Sequence, residues 1–424
     1  MNIIEIITKK KNKQPLTEEE IKFAVMGYVN GTVKDYQMSA LLMAITINGM
    51  VEEETISLTK VMIESGHKID LSKIGGTTVD KHSTGGVGDK TTLVLIPLVA
   101  SCGVNVAKMS GRGLGITGGT IDKLESIENY QVNLSEQQFI EQMKKIGCAV
   151  ISQTSEVAIA DKYLYALRDV TGTTESIPLI AASIMSKKIA CGSSAIVIDV
   201  KVGNGALMKD IESARSLANL MIKIGSYYNK KVVCVLTNME EPLGYAIGNG
   251  LEVKESIETL KNNAPSDLLE LVLTIATIMV SIGKNISKEE ALKEVKQNLE
   301  NGKAYQKWND MVLMQHGNLE HIKINPEFIS IKSEKTGYIK TINTYKLGEI
   351  CKEIGAGRVK KEDKIDYGVG IVLNKKVGDF IKEGEEILKI YTNKEISSHL
   401  INNIFEIVEK EIPAQKLILD IIEW

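Results

Sequence analysis

Two glycine-rich segments, 81–92 and 110–120, flank one apolar stretch and carry the residue types that bind oxyanions. Glycine lets backbone N–H groups come close to an anion, and Ser, Thr, Lys and Arg side chains add donors that match phosphate oxygens. Of the five histidines only His82 lies within either segment, between Lys81 and Ser83. Together the segments predict a preorganised oxyanion site, with His82 placed for acid–base or electrostatic chemistry.

A second group of residues could hold a planar ring. On helices, Tyr165 and Arg168 (i, i+3) would share one face, and Ser183 and Lys187 (i, i+4) another. The preceding residues 177–182 are apolar, which favours cations directed into a cleft over a solvated helix face. A planar guanidinium suits the edge of a heterocycle that carries carbonyls. A cleft with an anion site on one wall and this clamp on the other can join two substrates.

Other kinds of site are disfavoured. Residues 113–118 match the G-x-G-x-x-G fingerprint, but 120–123 breaks the expected helix pattern, and no acidic residue follows about 20 positions on at the end of a second strand. Neither segment has the spacing of a Walker A loop, which disfavours kinase-type phosphoryl transfer. The other four histidines and the five scattered cysteines have no metal-ligand spacing, so we expect no catalytic transition metal.

Composition narrows the class of protein. A chain of 424 residues predicts two or three domains, and 43% hydrophobic with 25% charged residues is typical of globular proteins. A net charge of −3 gives no general reason to bind nucleic acid or an anionic membrane, and the apolar stretches 93–104 and 271–282 are too short to span a bilayer. Unpaired cysteines and a charged N-terminal segment predict a cytoplasmic protein without nucleic-acid or membrane partners.

The type of predicted secondary structure that positions these residues changes twice along the chain. A capping box at 17–20 opens a helical part, strands and helices alternate after Gly76, and short strands with turns follow Asn325. The predicted class is α/β: a small, partly discontinuous helical domain and a large α/β domain flank a cleft, and a C-terminal α+β domain follows. The predicted boundaries are 1–70 and 155–193 for the helical domain, 71–154 and 194–325 for the α/β domain, and 326–424 for the C-terminal domain.

The run 377–385 in the last part resembles the hammerhead turn of lipoyl and biotinyl carrier domains. A carrier needs a modifiable lysine framed by methionines at a hairpin tip, and the sequence has none. We therefore expect this domain to have a structural or oligomer-supporting role.

The glycine-rich motifs and the clamp residues also carry a resemblance to a known family. The sequences Ser-Gly-Arg-Gly-Leu at 110–114 and Thr-Gly-Gly-Thr at 117–120 are highly specific, and 81–86, Arg168, Ser183 and Lys187 complete the pattern. Over essentially its whole length the chain resembles the thymidine and pyrimidine-nucleoside phosphorylases. The resemblance implies a homodimer that uses inorganic phosphate to convert pyrimidine nucleosides (uridine, thymidine, deoxyuridine) reversibly into free base and α-pentose 1-phosphate.

The resemblance also implies residue roles. Those implied for phosphate are Lys81, His82, Ser83, Thr92, Lys108, Met109, Ser110 and Thr120. Those implied for the nucleoside are Tyr165, Arg168, Ser183 and Lys187. His82, Arg168 and Lys187 are the implied catalytic residues. Thymidine-restricted members carry methionine where this chain has Lys108, which favours the broader substrate range.

Bacillus-like members of this family also bind a monovalent cation, and the four matching positions here are Gly88, Leu243, Ala246 and Glu255. Position 90 usually carries a hydroxyl in that group but is Lys90 in this chain. An ammonium cannot ligate a cation and could instead take its place against Glu255, so we expect weakened potassium dependence. Ile116 is a second departure, because the family pattern usually has histidine there.

Three alternatives stay open from the sequence. One is a thymidine-restricted phosphorylase. Another is a phosphoribosyltransferase of the anthranilate type, which would need magnesium-binding acidic pairs that Asp89 and Asp199 do not convincingly supply. The third, from a different class, is a nucleoside-binding sensor without activity.

Overall fold

The computed structural model describes residues 1–113, 116, 118–153, 156–358, 363–396 and 401–424. Residues 114, 115 and 117 of the second glycine-rich segment, and the predicted boundary at 154–155, lie outside the described residues.

Four helices open the chain: α1 (Ile3–Lys11), α2 (Glu18–Val29), α3 (Asp35–Asn48) and α4 (Glu52–Glu64). The capping box expected at α2 is present, since the N–H of Thr17 donates to Glu20 (2.7 Å) and the N–H of Glu20 to the Thr17 hydroxyl (3.3 Å). Helix α1 was not predicted from the sequence, because its few isoleucines are followed directly by a run of lysines.

Helices and strands then alternate. They are β1 (Val79–Ser83), α5 (Thr91–Ser101), β2 (Val106–Ser110), α6 (Thr120–Leu124), α7 (Glu136–Ile146), β3 (Cys148–Ser152), α8 (Ile159–Arg168), α9 (Ile177–Ala190), β4 (Ala195–Val202), α10 (Ile211–Tyr227), β5 (Lys231–Asn238), β6 (Ala246–Gly248), α11 (Asn249–Leu260), α12 (Ser266–Lys284), α13 (Lys288–Glu300) and α14 (Lys303–Met314). The prediction that 120–123 breaks a helix was wrong, because α6 begins there, although it lasts only five residues.

Helices α8 and α9 belong with the first four helices. Leu164 and Leu167 of α8 and Leu179 of α9 are buried in the same apolar cluster as Leu41 of α3 and Leu58 of α4. The helical core is therefore built from two separate stretches of chain, and α9 continues directly into β4 of the sheet.

The central sheet determines where the two glycine-rich segments lie. Strands β1, β4 and β5 are parallel, and β2 pairs in parallel with β3. The start of β1 also meets the start of β2, since the N–H of Val79 donates to the carbonyl of Asn105 (2.9 Å). Strands β1 and β2 therefore end side by side, and the segments that follow Ser83 and Ser110 leave the same edge, where ligands bind in open α/β sheets.

Helix α12 spans 19 residues and is apolar enough, by length and composition, to cross a membrane. Its Leu271, Val272, Ile275 and Met279 lie fully buried in the main core with the apolar residues of α5. We interpret α12 as a core helix of the α/β part.

The C-terminal part contains α15 (Thr344–Ile354) and the strands β7 (Phe328–Lys332), β8 (Gly337–Ile342), β9 (Gly370–Leu373), β10 (Phe380–Ile381), β11 (Glu386–Tyr391), β12 (Phe405–Val408) and β13 (Ile418–Glu423). Strands β7 to β12 contribute to two antiparallel sheets, of order β6-β9-β11-β7 and β10-β8-β12. Two strands cross the predicted boundary at 326. Strand β6 joins the first of these sheets, and β13 returns to pair antiparallel with β5 at the edge of the central sheet.

Candidate active site

The first glycine-rich segment forms a hydrogen-bonded turn between β1 and α5. Lys81 is fully buried, and its Nζ donates to the Thr92 hydroxyl (3.2 Å) and lies 3.9 Å from a carboxylate oxygen of Asp199. The Ser83 hydroxyl donates to the carboxylate of Asp89. Lys81, Ser83 and Thr92, all predicted phosphate ligands, are thus brought together where helix α5 begins and where its N-terminal N–H groups favour an anion.

Asp89 ties this turn to the rest of the site. Burial opposes its ionisation, but the charges of Lys81, Lys201 and Lys123 and the Ser83 hydroxyl outweigh that effect and hold its pKa well below the usual range. Lys123 on α6 donates to the Asp89 carbonyl (2.6 Å) and pairs with Glu252 at 2.7 Å. The two glycine-rich segments are therefore joined through Lys123.

A cluster of lysines lies around His82. Burial, followed by the positive charges of Lys188, Lys108, Lys187 and Lys81, lowers the pKa of His82 well below its ordinary value. Without a bound anion the imidazole is neutral at pH 7 and offers one N–H donor. A bound dianion would offset part of this positive charge and favour the protonated imidazole, so protonation of His82 is linked to anion binding.

Lys108 and Lys188 form the floor of that cluster. Lys188 donates to Asp80 (2.8 Å) and to the carbonyl of Met109 (3.2 Å). Lys108 is 3% exposed, and burial together with the charge of Lys188 lowers its pKa well below the ordinary value. Met109 contributes its backbone carbonyl here, while its sulfur lies 3.1 Å from that of Cys191 in the core.

The predicted ring-binding residues Tyr165, Ser183 and Lys187 meet at the seam between α8 and α9. The Lys187 Nζ donates to a carboxylate oxygen of Asp161 (2.5 Å) and to the Ser183 hydroxyl (2.8 Å), and it lies 5.9 Å from the centre of the Tyr165 ring. Two of its three N–H donors are engaged, which leaves one for a ligand.

Arg168 is placed differently from the expectation of a cation pointing freely into a cleft. Its side chain is buried, and its guanidinium donates to the carbonyls of Thr173 (3.0 Å), Thr174 (2.9 Å) and Leu179 (3.2 Å). Three of its five donors thus hold the turn between α8 and α9, and at most two remain for a ligand.

The second glycine-rich segment is anchored by Asp122 and Glu125, which also bind residues of the C-terminal part. Asp122 accepts from the N–H of Gly113 (2.7 Å) and from Arg358 of the C-terminal part (2.9 Å). Glu125 pairs with Arg112 and accepts from the Tyr367 hydroxyl (2.9 Å). The predicted ligands Ser110 and Thr120 stand half-buried at the two ends of this segment.

The four positions implied for a monovalent cation also come together. Lys90 Nζ donates to the carbonyls of Leu243 (2.6 Å) and Ala246 (2.9 Å) and to Glu255 (2.6 Å). A Cβ on Gly88 would lie 2.9 Å from the Leu243 carbonyl oxygen. These oxygens do not fit a free cation because an ammonium already uses them. Among the described residues no group of three or more His, Cys, Asp and Glu side chains could hold a metal ion.

Sequence reasoning missed Asp161, the carboxylate that orients Lys187. Asp161, Tyr165 and Arg168 stand at i, i+4 and i+7, so the helical spacing that selected the latter two also places Asp161 on that face. It missed Lys188 and Asp80 as well, and nothing local in the sequence links residues 108 positions apart.

The helical bundle followed by an α/β layer is the architecture of a two-domain glycosyl transferase, and comparison with family models shows this class. Residues 4–66 match the model for the helical bundle domain of a glycosyl transferase family, 75–305 that for its a/b domain, and 338–409 that for the pyrimidine nucleoside phosphorylase C-terminal domain. The solved structure of anthranilate phosphoribosyltransferase from Thermus thermophilus superimposes on this chain with a TM-score of 0.60 at 16% sequence identity. The match covers 74% of this chain and 99% of that enzyme, which shows a shared fold.

Full-length relatives make the assignment specific. A pyrimidine-nucleoside phosphorylase of Staphylococcus haemolyticus is 50% identical over 98% of this chain and 97% of its own. Those of Geobacillus stearothermophilus and Bacillus subtilis are each 48% identical over 99% of both chains. The chain belongs to the pyrimidine-nucleoside phosphorylase family.

Proposed function

We propose that this chain catalyses the reversible phosphorolysis of pyrimidine nucleosides, giving the free base and α-D-ribose or deoxyribose 1-phosphate. The observation that carries the proposal is the convergence of two cationic groups on His82. Lys81 of β1, Lys108 of β2 and Lys188, which reaches Asp80 of β1 from α9, form one group. Lys187 of α9, held by Asp161 of α8, represents the other. One group suits a phosphate dianion and the other a departing pyrimidine.

In the proposed reaction a phosphate oxygen attacks C1′ on the face opposite the base. The C1′–N1 bond breaks, its electron pair leaves with the pyrimidine, and the C1′–O bond forms with inversion and without a covalent enzyme intermediate. The sugar becomes oxocarbenium-like, as in glycoside hydrolysis, and the dianion stabilises that positive charge. The remaining N–H donor of Lys187 and those of Arg168 oppose the negative charge that grows on the pyrimidine.

Domain closure is part of this proposal. The phosphate-side residues stand on the α/β sheet, whereas Tyr165 and Arg168 stand on α8, which packs in the helical core. Approach of the two domains would expel water and bring the reacting atoms into line.

The acidic residues argue against the rival phosphoribosyltransferase. Asp199 pairs with Lys201 at 2.8 Å and accepts from the Thr237 hydroxyl (2.6 Å). Asp89 is engaged by Ser83 and by the Thr91 hydroxyl (2.6 Å). Both carboxylates already have cationic or hydroxyl partners, so neither is available as a ligand for the magnesium ion of a magnesium–pyrophosphate complex.

Lys108 supports a broad substrate range of uridine, thymidine and deoxyuridine, because a buried lysine beside the anion site can serve a ribose hydroxyl as well as phosphate. A thymidine-restricted enzyme is the alternative. Potassium is not part of the proposed reaction, since Lys90 uses the oxygens that it would need.

The test measures the base released from uridine, thymidine, deoxyuridine and cytidine, with and without inorganic phosphate, and each reaction is run with and without added magnesium. We expect phosphate-dependent release from the first three. Release from thymidine and deoxyuridine but not uridine would favour the restricted enzyme. Tight uridine binding without release under any condition would favour a sensor, and a requirement for magnesium would favour the transferase.

We further propose that the chain is a cytoplasmic homodimer that pairs through α3. Tyr36, Met43 and Ile47 form one exposed stripe along that helix at i, i+7 and i+11, with Ile47 74% exposed. A second copy of the same helix would cover the stripe in a self-complementary contact. Sedimentation should find a dimer, and Ile47→Glu should shift it to monomer, whereas Leu313→Glu on α14 should not. A wild-type monomer would refute the proposal.

A further inference from the structure

We propose that this chain carries its own replacement for a monovalent cation. The ammonium of Lys90 fills the oxygen cage, defined here as the carbonyls of Leu243 and Ala246 and the carboxylate of Glu255. The fold then needs no bound potassium at this place.

The geometry requires the charged form of Lys90. Its Nζ donates to three oxygens at 2.6, 2.9 and 2.6 Å, and an ammonium has three N–H donors whereas a neutral amine has two. The side chain has no exposed surface, and its positive charge is balanced by the carboxylate of Glu255, which is 13% exposed. Each donor therefore has an acceptor and the charge has a partner.

The surrounding backbone shapes the cage for a small cation. The N–H groups of Tyr245 (3.0 Å) and Ala246 (3.1 Å) donate to Glu255 and fix its carboxylate. On one side a Cβ at Gly88 would stand 2.9 Å from the Leu243 carbonyl oxygen, and on the other a Cβ at Gly244 would stand 3.0 Å from Lys90 Nζ. Side chains at these two positions would crowd the cage, so both glycines leave the room that the ammonium and its oxygens use.

The cage connects the anion-binding turn to strand β6, which belongs to the first C-terminal sheet, and to helix α11. Lys90 directly precedes α5 and directly follows Asp89, whereas the cage oxygens lie more than 150 residues further along the chain, in and around β6 and on α11. A dissociable ion would make that connection depend on salt. A covalently attached ammonium makes it permanent.

The experiment compares melting temperatures in potassium chloride and in tetramethylammonium chloride at equal ionic strength, for the full chain and two variants. The wild type should melt at the same temperature in both salts. Lys90→Ser removes the ammonium from the cage and adds a hydroxyl. Its melting temperature should therefore be about 5 °C lower in tetramethylammonium chloride than in potassium chloride, where potassium can bind the cage oxygens. Lys90→Met is the matched control, because a thioether fills the space without offering a hard ligand, and it should stay destabilised in both salts.

A wild-type melting temperature that falls when potassium is removed would overturn the inference, and so would a Lys90→Ser variant with the same melting temperature in both salts. If Lys90→Ser does not fold, the wild-type comparison still decides. The inference rests on the geometry of the cage, and its thermal readout needs no turnover, so its failure can be told apart from a failure of the proposed reaction.

Discussion

Removing the Lys187 ammonium tests the ring-binding side of the proposed site. Two of its N–H groups are held by Asp161 (2.5 Å) and Ser183 (2.8 Å), so the third is the donor for the leaving pyrimidine. Loss of one donor that acts on developing charge costs about 10²–10³ in rate, or about 2.7–4 kcal/mol. We expect Lys187→Met to lower kcat/KM for uridine by that factor at saturating phosphate.

Asp161 should act only through Lys187. A charge-assisted hydrogen bond contributes about 1.5–3 kcal/mol, so Asp161→Asn should lower kcat/KM by at most about 10². In the Lys187→Met background the same substitution should add nothing, because the ammonium it positions is gone. The assay follows the change in ultraviolet absorbance as base is released, over a range of uridine concentrations.

Lys162→Met is the matched control, since Lys162 is an exposed lysine on the same helix as Asp161. Its kcat/KM should equal that of the wild type. If Lys187→Met kept kcat/KM within about threefold of the wild type, the donor would not act on the transition state. Additive effects of the two substitutions would show that Asp161 has a separate role.

Three further predictions concern the anion side. Ser83→Ala removes the donor to Asp89 and should raise the KM for phosphate by about 3–10-fold while the KM for uridine stays constant; an unchanged phosphate KM would contradict it. Tyr367→Phe removes one hydrogen bond to Glu125 behind the second glycine-rich segment and should raise the phosphate KM about threefold without changing the melting temperature, whereas equal shifts in both KM values would indicate a general disturbance. Because the pKa of His82 is lowered in the folded chain, the unfolded chain binds more protons below about pH 6.5, and this residue destabilises the fold as the pH falls through that range. The wild-type melting temperature should therefore drop more than that of His82→Gln between pH 7 and 5. Parallel curves for the two proteins would refute this.

The sequence predicts those parts of the fold that have local signals. The capping box before α2 and the alternation of helices with apolar strands from α5 to β5 are recognisable without distant partners, whereas β1 was not predicted because its last three residues belong to the glycine-rich segment. Strands β6 and β13 could not be assigned to their sheets in this way. Each is a short apolar stretch whose partner strand lies more than 120 residues away in the sequence. Tertiary packing determines which strand it pairs with.

The site divides in the same manner. Lys81, Ser83 and Thr92 are neighbours in sequence, and the geometry of one turn brings them together. The partners of Arg168 depend on the path of the loop between α8 and α9, which no spacing rule gives. The position of Lys90 against Glu255 was expected from the family resemblance and not from the residues themselves.

The return of β13 to the edge of β5 has a consequence for biosynthesis. Everything from β7 to β12 is, in topological terms, an insertion into the α/β layer, although it comes late in the sequence. A nascent chain that has emerged only as far as β12 still displays an unpaired, strongly apolar edge on β5. Unpaired strand edges are templates for pairing with other chains, so β13 protects the central sheet only once synthesis has reached it.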